Sequence, residues 1–68
     1  GEADPSTLRL RFNLAIAAAK AGDVPRATQE YQRAAATLAE LNAEDTARRM
    51  EKDRARAEAA VRDAGGTP

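Results

Sequence analysis

Apart from one tyrosine, the titratable side chains of this sequence are carboxylates, guanidiniums and amines. Cysteine and histidine are both absent from the 68 residues, so disulfides and the usual structural zinc sites are ruled out. Carboxylates are dense between Glu44 and Asp63, but each has a basic residue within helical reach. That pattern makes a solvated zwitterionic face rather than a general acid and base. Asp23, Glu51 and Asp53 do not have the spacing of a calcium loop. Gly65-Gly66 precedes no helix whose N-terminus would hold a phosphate. No catalytic constellation, metal or cofactor is expected, and the chemistry left to the chain is recognition of other polypeptide.

The charge balance narrows the partners. Eleven basic and eleven acidic side chains cancel, five against five through residue 42 and six against six beyond it. No basic field directs the chain to nucleic acid or to an anionic membrane. No apolar run approaches a membrane span, and residues 1–10 do not read as a secretory signal. The lack of cysteine fits a reducing compartment, the cytoplasm being the expected one. Of the 29 apolar residues 18 are alanine, which leaves 11 larger side chains to build a core, nine of them before residue 42. A core that thin in so short a chain points to association with a partner or a second copy.

These residues need helices to position them. Asp4-Pro5-Ser6-Thr7 is a helix start, because proline suits the first turn and Asp, Ser or Thr cap free amides. Residues 8–16 alternate strictly, with Leu8, Leu10, Phe12, Leu14 and Ile16 at the period of a strand. The preceding cap, the alanine-rich run after it and the lack of a second strand favour a helix over about 6–21. Its large apolar residues then wrap more than half the helix, wider than one core-facing stripe requires. Gly22 closes that helix, and Asp23, Val24 and Pro25 open a second over about 24–41 with apolar residues at three-four spacing and Arg26 and Glu30 on its solvated face. Asn42 ends it, and a third helix over about 43–64 carries a thin stripe of residues 43, 47, 50, 57, 61 and 64, interrupted by Arg54. Residues 1–5 are expected to be a polar lead-in and 65–68 a flexible tail. The fold class is all-α, a short-loop antiparallel hairpin plus a long third helix.

From Leu8 to Leu41 the chain resembles a tetratricopeptide repeat. The resemblance rests on Asn13-Leu14-Ala15, Lys20, Gly22-Asp23, Ala27, Tyr31 and Ala34 at that family's spacing. It implies a hairpin core of Leu14, Ala15, Gly22, Ala27, Tyr31, Ala34 and Leu38, with small residues letting the backbones approach. It also implies that the first helix lines a peptide groove through Arg9, Phe12, Asn13, Ile16, Ala19 and Lys20; Leu10 joins them as a partner-binding candidate on the wide apolar surface. Asn13 and Lys20 are suited to hydrogen-bond a peptide backbone or carboxylate. Arg11, Ala18 and Ala39 depart from the family's usual aromatic, tyrosine and proline, which removes bulk that normally meets a neighbouring repeat.

The expected function is a non-catalytic protein-interaction module, either self-associating, as a homodimer for instance, or the terminal repeat of a larger array with the third helix as its cap. The alternative is a resemblance to the three-helix microtubule-interacting-and-trafficking domain, to which Gly22, Ala27, Tyr31 and Ala34 are equally similar and Arg56-Ala57-Glu58 adds a weak closing motif. That family implies a groove beside the third helix that takes a short amphipathic helix.

Overall fold

A computed structural model describes residues 4–41 and 44–68. It contains three helices in sequence: α1 spans Pro5–Lys20, α2 spans Val24–Glu40 and α3 spans Glu44–Asp63. No strand occurs among the described residues, so the alternating segment 8–16 is helical throughout. The expected break at Asn42 and the start of the third helix at Ala43 lie outside the described residues. The fold is all-α, and every pair of helices is in contact, α1 lying against both of the others.

The turn between α1 and α2 is closed by backbone alone. The Gly22 N–H donates to Ala19 O at 3.0 Å and the Asp23 N–H to Ala18 O at 2.9 Å, the paired bonds that satisfy the last carbonyls of a helix. They require Gly22 at φ 81°, where a side chain on any other residue would crowd the backbone. Asp23 then caps α2, its Oδ1 accepting from the Arg26 N–H at 3.3 Å. At the start of α1, Asp4 occupies the cap position, its side chain taking no capping hydrogen bond from the first amides, and the Leu8 N–H reaches its carbonyl at 2.9 Å. Pro5, expected in the lead-in, is already the first helical residue.

The core gathers Leu8, Phe12, Ala15 and Ala18 from α1, Ala27, Tyr31, Ala34 and Leu38 from α2, and Met50, Ala57 and Val61 from α3. Phe12 and Tyr31 meet as a tilted ring pair, centroids 5.9 Å apart at 54°. Alanines at 15, 27 and 34 are fully buried, which brings α1 and α2 close enough for that pair to form. Of the expected third-helix stripe, Met50, Ala57 and Val61 are buried, whereas Ala47 is exposed.

The last residues do not trail away as a tail. The Gly66 N–H donates to Val61 O at 2.9 Å, and Gln32 Nε2 on α2 donates to Thr67 O at 2.8 Å. Gly66 lies so near α2 that an added Cβ would run into Thr28 Oγ1 and come within 2.9 Å of Val61 Cγ1 and 3.3 Å of Val24 Cγ1. The chain end is therefore laid across the start of α2, beside the end of α3.

Candidate interaction surface

Two of the expected assignments on α1 are corrected by its helical geometry. Phe12, expected on the binding face, is fully buried, because it shares its side of the helix with Leu8 and Ala15, where α2 delivers Tyr31. Leu14, expected in the hairpin core, is 38% exposed and lies beside Asp23 and Arg26 at the start of α2. Leu10 stands further out at 57%. Positions 10, 14, 17 and 21 follow one another at three-four spacing, so Leu10, Leu14, Ala17 and Ala21 form one continuous stripe along α1, all of them exposed.

The lower part of this stripe is concave. Leu14, Ala17, Ala18 and Ala21 surround a depression of about 260 Å³ whose rim is completed by Asp23 and Arg26 at the start of α2. The hollow exists because three of its four helical walls are alanine.

Of the other expected binding residues, Arg9 and Lys20 lie toward α3. Arg9 Nε donates to Asp53 Oδ2 at 3.4 Å, tying α1 to α3 through an ion pair whose arginine is exposed and whose carboxylate is largely covered. Ile16 is half-buried against the core, and Asn13 is exposed. Lys20 lines a second depression of about 300 Å³ with Ala19, Ala60, Asp63 and Ala64, between the C-terminal ends of α1 and α3. The structure thus divides the expected set. Arg9 and Lys20 belong to the α1–α3 side, Ile16 to the edge of the core, Leu10 to the bare stripe, and Phe12 to neither surface.

Two polar contacts bridge the helices where the sequence pattern showed only interruptions. Arg54 sits in the α3 seam at 26% side-chain exposure, its Nη1 donating to the Tyr31 hydroxyl at 2.9 Å while Nε and Nη2 fork onto Glu51 at 3.1 and 2.8 Å. Glu58 lies 3.5 Å away on its other side. The fork holds Arg54 above its ordinary pKa, through the hydrogen bond to Glu51 first and that to Tyr31 second. It holds the Glu51 carboxyl below the usual range, by the hydrogen bond and then the charge of Arg54. Arg11 occupies the corresponding place between α1 and α2, its Nη1 3.9 Å from Glu30 Oε2. That oxygen is buried and has no hydrogen-bond partner, so the contact is one of charge alone. Glu30, expected on the solvated face beside Arg26, is half-buried and turned toward α1.

Comparison with protein-family models, with curated proteins and with solved structures gives no match. What the chain can do has to be argued from its surface. No group of three acidic side chains able to hold a metal occurs among the described residues. Nor is any described helix long and apolar enough to cross a membrane.

Leu8, Ala18 and the Arg54–Tyr31 link were the pieces that sequence reasoning did not place. Leu8 was legible in principle, because 8, 12, 15 and 19 form a three-four series hidden inside the strict alternation. Arg54 was visible only as a break in a stripe; its partner lies 23 residues away on another helix.

Proposed function

We propose that this chain is a non-catalytic protein-interaction module, a tetratricopeptide-like hairpin capped by α3, whose contact surface is the outer stripe of α1. The observation that carries the reading is the exposure of Leu10 and Leu14 in line with an alanine-walled depression on a chain with few large apolar residues. A domain this small gains from covering such a stripe, since each fully buried leucine contributes about 1.5–3 kcal/mol. No α3 residue lines the hollow on this stripe, so an interacting helix, such as that of a neighbouring repeat, meets it without displacing the cap. The solution mass measured by light scattering across a concentration series tests this. Association is expected, and Leu10→Glu and Leu14→Glu are expected to remove it while leaving helicity intact. Association that survives both substitutions would place the interface elsewhere.

The α1–α3 depression favours a second reading, in which the chain resembles a microtubule-interacting-and-trafficking domain and takes a short amphipathic helix beside α3. Its floor is Ala19, Ala60 and Ala64, with Lys20 and Asp63 on its walls. Amide chemical shifts on titration with an amphipathic helical peptide separate the two readings. Perturbation centred on Ala60 and Ala64 supports the second reading, and perturbation centred on Leu14 and Ala17 supports the first.

A further inference from the structure

The hollow on α1 has the geometry of a socket for a helix side chain. Its walls, Leu14, Ala17, Ala18 and Ala21, stand at i, i+3, i+4 and i+7, the four-residue diamond into which a knob from a facing helix inserts. One turn N-terminal to Leu14, on the same stripe, the molecule carries Leu10, a knob 57% exposed. Knob and socket lie side by side on one helix, which is the requirement for a self-complementary contact.

The charges on the same side of the hairpin specify the occupant further. Asp23 and Arg26 form the rim of the socket, and Glu30 and Arg33 follow at three-four spacing along α2. Their signs run minus, plus, minus, plus. Read in the opposite direction the series is plus, minus, plus, minus, so an antiparallel copy sets Asp23 against Arg33 and Arg26 against Glu30 at every step. Glu30 is already paired with Arg11, and Arg33 also has an interaction within its own chain. The second copy would therefore extend these contacts rather than supply lone charges with partners.

Symmetry selects one arrangement. A two-fold axis lying across the helices stacks α1 on α1 and α2 on α2, each antiparallel, so leucines meet alanines and each charge meets its opposite. An axis running along the helices would instead lay the leucine stripe of each copy over the charged row of the other. That arrangement buries charges against apolar groups without compensation.

We propose that the occupant of this face is a second copy of the chain, docked antiparallel about such an axis, with Leu10 and Leu14 of each copy over the alanine socket of the other. This rests on the interaction reading above and adds to it the identity and orientation of the partner.

The test is a charge exchange between two variants, Arg26→Glu and Glu30→Arg. In the antiparallel dimer each variant alone opposes like charges twice, whereas one chain of each restores both opposite pairs. Sedimentation equilibrium is expected to show each variant associating about tenfold more weakly than the parent chain, and a 1:1 mixture recovering the parent affinity. A folding defect in Glu30→Arg, visible by circular dichroism, leaves a second measurement decisive. Ala17→Cys lies close to the axis and is expected to form an intermolecular disulfide readily. Ser6→Cys is separated from its counterpart by roughly 28 Å along the antiparallel helices, at 1.5 Å per residue in the register that seats Leu14 over Ala17, and is expected not to. Efficient Ser6→Cys cross-linking, or association abolished by Leu14→Glu yet indifferent to the charge exchange, would overturn the antiparallel arrangement and leave α1 as the interaction surface. A monomer at every concentration, with titrated helical peptide leaving Leu14 and Ala17 unmoved, would overturn both.

Discussion

The two flanks of α1 carry nearly the same kind of residue and meet opposite fates. On one flank Leu8, Phe12 and Ala15 are fully buried between α2 and α3. On the other, Leu10 and Leu14 remain exposed only two residues from their buried neighbours. The difference does not come from hydrophobicity, which is similar on both sides, but from what the rest of the chain supplies. The α3 helix brings Met50, Ala57 and Val61 to the covered flank, whereas the described residues meet the other only at the rim of its hollow, through Asp23 and Arg26. Burial in a domain of this size is thus limited by the number of covering elements, not by the number of apolar residues seeking cover.

Substitutions on the two flanks should separate accordingly. Phe12→Ala removes the ring that meets Tyr31 and is expected to cost about 3–5 kcal/mol of folding stability, read from urea unfolding monitored by circular dichroism. Tolerance of that change would show the covered flank to be far more loosely packed than the Phe12–Tyr31 contact implies. Gly66→Ala probes how the cover is fastened, because its methyl group would press on Val61, itself fully buried, and on Thr28. A loss of about 1–3 kcal/mol is expected from such overpacking, measured the same way. Tyr31→Phe keeps the ring pair and deletes the acceptor of Arg54; about 1 kcal/mol is expected, with little change in helicity. Leu10→Ala sits at the bottom of the scale. Its effect on the unfolding of the isolated monomer should stay within about 0.5 kcal/mol, while any association through this flank weakens. A large monomer effect from Leu10→Ala would erase the distinction between the flanks.

Much of this arrangement is legible in the sequence. Three helices, the Gly22 turn and the alanines at 15, 27 and 34 follow from cap signals, small-residue spacing and short loops. The excess apolar surface of α1 was also readable, since five large residues alternating over 8–16 cannot all face one side of a helix. Which of them would be excluded was not. The alternation gives Phe12 and Leu14 equal claim, and only the direction from which α2 and α3 approach decides between them. The resemblance to a repeat family assigned Leu14 inward and Phe12 outward, the reverse of the arrangement around the Phe12–Tyr31 pair. Arg54 was hidden for a related reason: a guanidinium in an apolar seam reads as a fault until the phenol on α2 that accepts from it is known. Residues 65–68 carry tail-like composition, and their placement depends on Thr28 and Gln32, far away in the sequence.

Tyr31 has a further consequence. It is the sole tyrosine of a chain without tryptophan, and it sits at the junction of all three helices, with Phe12 against its ring and Arg54 on its hydroxyl. Its ultraviolet emission and near-ultraviolet dichroism therefore originate from a single point where α1, α2 and α3 meet. The molecule carries its own optical reporter of tertiary closure, able to distinguish a chain with formed helices from one whose helices have come together.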